Sequence, residues 1–136
     1  FVVTPVGHVF GMYAAHQGGQ GLRTIFSSPE VNYDRDGKPA TFWGLKGSSS
    51  LHGKELVLTV VNPHVREERP TEIGVRGGSI KSVSISTLKS SDIHAHNTFD
   101  RPNAVVPQTI ELQLSGRVAN NVFPPASVTK LTILLE

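Results

Sequence analysis

IHAHNTFDRPNAVVP, residues 93–107, and FPPASVTKLTILLE, residues 123–136, are the two stretches that decide the fold of this chain. The first is predicted to be a long loop, because an NTF turn and a DRP turn precede an apolar run that ends in proline. The second is a Pro-Pro corner followed by a strand in which Leu131, Ile133 and Leu135 share one face. The chain is therefore expected to finish on a strand that has one face to bury.

Short segments with a period of two residues fill most of the chain before this end. They are 22–28, 41–46, 54–62, 71–75, 82–88, 109–114 and 119–123. In 54–62 both faces are apolar, which predicts a central strand, whereas Val83 and Ile85 alternate with serines, which predicts a half-buried strand. Because such segments can hide one face only against a second sheet, the pattern predicts an all-β antiparallel sandwich.

A single helix is predicted near the N-terminus. Thr4 can cap its free N–H groups and Pro5 suits its first position, while Gly18 and Gly19 are expected to end it. The apolar residues at helical spacing are Val6, Val9, Phe10 and Tyr13, with Met12 beside them. Because so short a helix is marginal alone, we expect this stripe to pack on another surface.

The amino-acid composition argues against several kinds of site and partner. The chain has 136 residues, a formal net charge of +2 and no cysteine. The lack of cysteine excludes disulfides, thiolate catalysis and Cys-type zinc sites, and the small charge argues against nucleic acid or an anionic membrane as a partner. No apolar run is long enough to span a bilayer, and no signal peptide is recognisable. Since the chain starts at Phe1 rather than Met, we expect it to be a segment of a longer protein, whose compartment these features leave open.

The order of the motifs resembles the C-terminal domain of the α-L-arabinofuranosidases of glycoside hydrolase family fifty-one. The matching residues are His96, Asn97, Thr98, Phe99, Asp100, Pro102, Val106, Pro107, Pro124, Pro125, Ser127, Val128 and Leu131. At the other end of the chain, residues 4–17 are similar to the last helix of the catalytic barrel of that family.

This resemblance implies a jelly-roll-like sandwich at 19–136, preceded by a helix at 1–18 left over from a (β/α)8 barrel. The helix residues expected to pack on that barrel are Val6, Val9, Phe10 and Tyr13. Structural rather than catalytic roles are implied for His96, Asn97, Thr98, Phe99, Pro102, Pro107, Pro124 and Pro125.

The resemblance also implies a function. The domain would be the accessory sandwich of a retaining, exo-acting enzyme that removes terminal arabinofuranosyl groups from arabinoxylan or arabinan. Both catalytic glutamates would lie outside this chain, and no cofactor or metal is expected. The partners would be the upstream barrel, arabinose-containing saccharides bound through the parent enzyme, and further copies of the same subunit.

One acidic pattern suggests a different site. Asn32, Asp34 and Asp36 before Gly37 copy the first half of a calcium loop, but Trp43 stands where a glutamate would complete it. A hairpin turned at Asp36-Gly37 is therefore the favoured interpretation. Almost all the other acidic residues are predicted to lie in turns or on polar strand faces. Residues 66–69 are predicted to form an exposed turn in which two acidic and two basic side chains balance each other.

Two histidines suggest a metal site. His94 and His96 would face the same side of a strand and could chelate zinc, but a further ligand, His64 or Asp92, can be named only if a fold is assumed. We favour hydrogen bonds from His96 and Asn97 to the backbone of the long loop, whose polar groups no strand ladder satisfies.

Three aromatic residues suggest a platform for sugar rings. Tyr33, Phe42 and Trp43 lie close in sequence, but adjacent strand residues face opposite sides. At most one of Phe42 and Trp43 is then expected on a flat surface, and the other is expected in the core. A working platform would favour the alternative function, a stand-alone carbohydrate-binding or interaction module.

Overall fold

The computed structural model describes all 136 residues. One α-helix, α1 (Pro5–Tyr13), continues into a 3-10 turn (Ala14–His16) and is followed by ten strands. The strands are β1 (Gln20–Leu22), β2 (Val31–Arg35), β3 (Lys38–Phe42), β4 (Lys46–His52), β5 (Glu55–Asn62), β6 (Arg69–Gly74), β7 (Ile80–Leu88), β8 (Gln108–Gly116), β9 (Val118–Phe123) and β10 (Ser127–Leu135). The helix is not long and apolar enough to cross a membrane.

The strands form one large sheet and two separate two-stranded pairs, all antiparallel. The large sheet has the order β1-β4-β5-β10-β7-β8, and the pairs are β2-β3 and β6-β9. From β5 onwards the chain folds back on itself as one long hairpin of six strands. The innermost pair is β7-β8, the next is β6-β9, and the outermost is β5-β10. This nesting is the jelly-roll pattern, with the loop 89–107 joining β7 to β8. The predicted antiparallel, jelly-roll-like sandwich is confirmed.

The core lies between the large sheet and the β6-β9 pair. Leu58 in β5 and Ile85 in β7 are both Cα partners of Leu131 in β10, so three strands present leucine or isoleucine to the same space. Phe123 at the end of β9 fills that space from the other side and is 1% exposed. Because β5 lies between β4 and β10, its prediction as a central strand is confirmed.

Several strand boundaries differ from those predicted. In the predicted strand 22–28, hydrogen-bonded pairing ends at Leu22. The residues that follow still alternate between half-buried and exposed, and Phe26 packs against the core. The predicted strand 41–46 spans the end of β3 and the start of β4, with a break between them. The prediction of an exposed charged turn at 66–69 is wrong at Arg69, which is the first residue of β6 and is buried. Its guanidinium group donates to Oε2 of Glu67 at 2.7 Å.

The hairpin β2-β3 is turned by the two predicted residues. Asp36 and Gly37 have φ of 55° and 76°, the left-handed values that a two-residue turn of this kind requires. Oδ1 of Asp34 accepts a hydrogen bond from N–H of Gly37 at 2.7 Å. The hairpin interpretation of this acidic pattern is confirmed, with Asp34 bound to the turn backbone.

Helix α1 begins where the sequence predicts and ends earlier. Oγ1 of Thr4 accepts a hydrogen bond from N–H of Gly7 at 3.1 Å, and Pro5 is the first helical residue. The α-helix ends at Tyr13 rather than at Gly18, because the chain tightens into the 3-10 turn that carries His16 over the large sheet.

Candidate functional site

Helix α1 lies on the face of the large sheet that points away from the core. Met12 is 4% exposed and packs in a second apolar cluster with Leu88 of β7 and Val105 of the long loop. Val9 and Tyr13 pack against the same cluster and are partly buried. The helix therefore docks on its own sandwich through the side that carries Met12.

The predicted apolar stripe is divided between two sides of this helix. Val6 and Phe10, one turn apart, point outward and are 63% and 75% exposed. Met12, which the sequence placed beside the stripe, is the most buried residue of the helix. We call Val6 and Phe10 the outward pair. They are large apolar side chains that the sandwich leaves uncovered.

His16 fastens the end of the helical segment to the sheet. Its Nδ1 lies 2.7 Å from Oγ of Ser50, and its Nε2 lies 3.0 Å from Oγ1 of Thr59. Ser50 and Thr59 lie on the outer face of β4 and β5 and are almost completely buried beneath this turn. The sequence analysis missed this contact, because a lone histidine before two glycines carries no local sign of its partners.

Burial lowers the pKa of His16 below its ordinary value of 6.5, and the neighbouring His52 lowers it further. The unfolded chain then binds a proton at His16 more readily than the folded chain does. The contribution of this group to stability is fully present above about pH 6.5 and is lost as the pH falls through the folded pKa.

We therefore expect the free energy of unfolding to fall as the pH is lowered from 7.5 to 5, and this fall to be smaller in His16→Gln. Urea unfolding of both proteins at the two pH values measures the difference. His94→Gln, at an exposed histidine, is the matched control and should keep the wild-type pH dependence. An unchanged dependence in His16→Gln would contradict the assignment.

Asn97 connects the long loop to the segment that precedes the helix. Its Nδ2 donates to the carbonyl oxygens of Val3 and Val105, both at 2.8 Å, and its Oδ1 accepts from N–H of Val105 at 2.7 Å. The side chain is 8% exposed. One amide thus satisfies three backbone groups and holds residues 3, 97 and 105 together.

The neighbouring motif residues make local turns. Nδ1 of His96 lies 3.1 Å from the carbonyl oxygen of His94, and Oγ1 of Thr98 accepts from N–H of Arg101 at 3.1 Å. Phe99 is 84% exposed. Pro102 is exposed, and Pro107 is half-buried just before β8.

The Pro-Pro corner is fixed from β5. The carbonyl oxygen of Pro124 accepts from Nδ2 of Asn62 at 2.9 Å and from Oγ of Ser127 at 2.6 Å. Asn62, 1% exposed, also donates to the carbonyls of Glu67 and Phe123. Pro125 is half-buried beside this contact.

His94 and His96 do not occupy a strand. They lie in the loop between β7 and β8, so the alternation that would turn both to one side does not apply. Both side chains are exposed, and Oδ1 of Asp92 accepts from N–H of His94 in a local turn. No group of three or more His, Asp or Glu residues in the chain is placed to hold a metal ion.

The three aromatic residues of the β2-β3 region lie together, and the expected burial of one of them is wrong. Tyr33 and Phe42 have ring centroids 5.6 Å apart, and Phe42 and Trp43 have ring centroids 5.9 Å apart. Their exposures are 43%, 36% and 40% respectively. Strand β3 ends at Phe42, so Trp43 is outside the ladder and the alternation rule does not separate the two rings.

A known domain family matches most of this chain. The family described as α-L-arabinofuranosidase C-terminal domain matches residues 1–127. No curated protein sequence gives a significant match.

Solved structures of larger enzymes contain the same fold. The GH51 arabinofuranosidase from Xanthomonas axonopodis pv. citri matches with a TM-score of 0.85 and 22% identity, over 97% of this chain and 26% of that chain. The α-L-arabinofuranosidase from Thermotoga maritima, in complex with arabinose, matches with a TM-score of 0.83 and 24% identity, over 98% and 30%. The thermostable GH51 enzyme from Thermotoga petrophila RKU-1 gives 0.80 and 24%, over 96% and 29%. This chain therefore spans less than a third of the length of each of these proteins.

Proposed function

The chain belongs to the α-L-arabinofuranosidase C-terminal domain family, and from this premise we propose that it is the accessory sandwich of a retaining, exo-acting α-L-arabinofuranosidase. The complete enzyme would remove terminal arabinofuranosyl groups from arabinoxylan or arabinan. One glutamate of an upstream barrel would protonate the leaving oxygen while another attacks the anomeric carbon. The sandwich would brace that barrel and take part in contacts between subunits.

The observation that carries this proposal is the outward pair on helix α1. Val6 and Phe10 are large apolar side chains held in solvent on a helix whose other side is already packed. Exposed apolar groups of this kind are typical of a surface that meets another protein surface. Since the related structures extend well beyond the length of this chain, the occupant we assign is the catalytic barrel of the same polypeptide.

The long loop supports the same assignment. Phe99 is exposed two residues after Asn97, whose amide binds the carbonyl of Val3 just before the helix. The loop and the start of the helix are thus positioned relative to each other, and a barrel resting on one is expected to reach the other. We propose that residues 1–18 are the end of the barrel domain and that 19–136 is the sandwich.

The 136-residue chain alone is expected to show no hydrolysis of an aryl α-L-arabinofuranoside, and turnover is expected when the upstream polypeptide is supplied. Replacing Val6 and Phe10 together by aspartate should weaken assembly with that polypeptide by at least about tenfold, because charges would be buried at an apolar contact. Turnover and analytical ultracentrifugation measure the two effects.

A matched control uses two exposed valines on β9. Val118→Asp with Val122→Asp changes the charge equally at positions that are 45% and 47% exposed, and assembly should be unaffected. Turnover by the chain alone would refute the accessory role. Equal assembly of both double variants would refute the outward pair as the contact surface.

A further inference from the structure

We propose that one face of the β2-β3 hairpin binds the uronic acid side groups of a plant polysaccharide. The face consists of Tyr33, Phe42 and Trp43 together with Arg35 and Lys38, and we call it the hairpin face. The choice of a polysaccharide rests on the proposed function, whereas the aromatic and cationic chemistry rests on the hairpin itself.

The strand register puts four of these groups on one side, and Trp43 joins them through its ring contact with Phe42 just beyond the strand. Val31 is the Cα partner of Phe42, Tyr33 of Ala40, and Arg35 of Lys38. Positions two apart on a strand share a face, so Tyr33, Arg35, Lys38 and Phe42 all point the same way. Tyr33 and Phe42 are diagonal neighbours across the pair, which is why their rings touch.

The hairpin face is buried at its base, where Val31 is 9% exposed, and is open to solvent beyond it. The β2-β3 pair joins neither of the other sheets, and its three aromatic rings are exposed by 36% to 43%. Aromatic side chains are large, rigid and apolar on their ring faces, so a cluster left in water favours a ligand that offers flat C–H surface. Sugar rings offer such a surface while keeping their hydroxyls in water.

The cations identify the class of sugar. Arg35 and Lys38 lie directly opposite each other, both exposed, and neither takes part in an ion pair. Like charges directly opposite in a hairpin destabilise it, and a carboxylate between them would reverse that repulsion. Arginine also binds carboxylates through two parallel hydrogen bonds. Of the two acids adjacent to Arg35, Asp34 points to the other face and accepts from N–H of Gly37, and Asp36 lies in the turn. Neither acid forms an ion pair with the two cations.

The distance between the aromatic rings and the two cations suits a sugar ring that carries a carboxylate. Arg35 lies one strand repeat, about 7 Å, from Tyr33, so a sugar stacked on the aromatic rings would bring an attached carboxylate to the two cations. The hairpin is also held at its base. Gly44, directly after Trp43, packs against the carbonyl oxygen of Pro29, where a methyl group would overlap. A face held in this way loses little conformational freedom when a ligand binds.

The test is titration calorimetry of the 136-residue chain with glucuronoxylan oligosaccharides and with the same oligosaccharides after chemical reduction of their carboxyl groups. We expect saturable, salt-sensitive binding of the acidic form at millimolar ligand and binding of the reduced form that is weaker by about fivefold or more. Arg35→Ala with Lys38→Ala should remove the difference between the two forms. Trp43→Ala should weaken the binding of both forms by more than about tenfold.

Controls come from groups of the same kind elsewhere on the surface. Lys54→Ala with Arg101→Ala removes two exposed cations, and Phe99→Ala removes an exposed ring; all should bind as the wild type does. Circular dichroism and urea unfolding confirm that each variant remains folded. The inference is overturned by no saturable binding, by equal affinity for the acidic and reduced forms, or by binding that survives Trp43→Ala. It is also overturned if the upstream polypeptide blocks the binding, because the hairpin face would then be a contact between domains.

The outcome is separable from that of the proposed function. An aryl arabinofuranoside carries no uronic acid, so its hydrolysis after assembly does not involve the hairpin face. Loss of oligosaccharide binding with that turnover intact would refute this inference alone. Failure of turnover with the binding intact would refute the accessory role alone.

Discussion

Replacing Phe123 by alanine is expected to lower the free energy of unfolding by about 3 to 5 kcal/mol. Phe123 is 1% exposed and is the largest of the fully buried side chains. It comes from β9, one of the two strands that cover the large sheet, and packs in the same cluster as Leu131 and Ile133 of β10. Its loss would leave a cavity between the two layers, and a domain with a total stability of about 5 to 15 kcal/mol would lose a large share.

The neighbouring residue provides the control. Val122 lies on the outer side of the same strand and is 47% exposed, so Val122→Ala should change the stability by less than about 0.5 kcal/mol. Urea unfolding followed by circular dichroism measures both variants, and an unchanged slope against urea would show that the same unfolding reaction is compared. A loss below about 1 kcal/mol for Phe123→Ala would mean that the β6-β9 pair does not close the core.

Replacing Asn97 by alanine is expected to cost about 2 to 3 kcal/mol and to loosen the attachment of the N-terminal helix. The substitution leaves N–H and C=O of Val105 and C=O of Val3 without their partner, and Val105 is only 5% exposed. An unsatisfied buried polar group costs about 1 to 3 kcal/mol. Hydrogen exchange of residues 3–13 and urea unfolding measure the two consequences.

Asn103 lies in the same loop with its side chain exposed, so Asn103→Ala controls for a change in loop composition. It should leave both readouts close to those of the wild type. If Asn97→Ala lowers the stability while exchange in the helix stays slow, the contacts of Met12 and His16 hold the helix without the Asn97 hydrogen bonds. If neither readout changes, Asn97 does not connect the two segments.

The relation between sequence and structure is clearest in the helix. Thr4 and Pro5 predicted its start, because capping is a contact within one turn. The side that packs could not be predicted from the stripe, since Met12 and Phe10 are both apolar. Which side of the helix is buried depends on Leu88 and Val105, which pack on Met12 and are far away in the sequence.

Among the candidate sites, too, local features could be predicted from the sequence and contacts between distant residues could not. The turn at Asp36-Gly37 was predictable because it depends on two adjacent residues with left-handed φ. The aromatic cluster was not, because it depends on the strand ending at Phe42. His16 gave no signal at all, since Ser50 and Thr59 are 34 and 43 residues away.

By itself the sequence determined the family, the single capped helix, the hairpin turn and the alternating strands β5, β7 and β10. These features depend on residue order and on spacings of two to four residues, over which backbone geometry acts directly. Only the tertiary structure decided which helix face is buried, what Asn97 and His16 bind, and that three aromatic rings share an exposed surface. Those outcomes depend on contacts between distant segments, whose relative positions become defined only when the sheets and the helix have packed together.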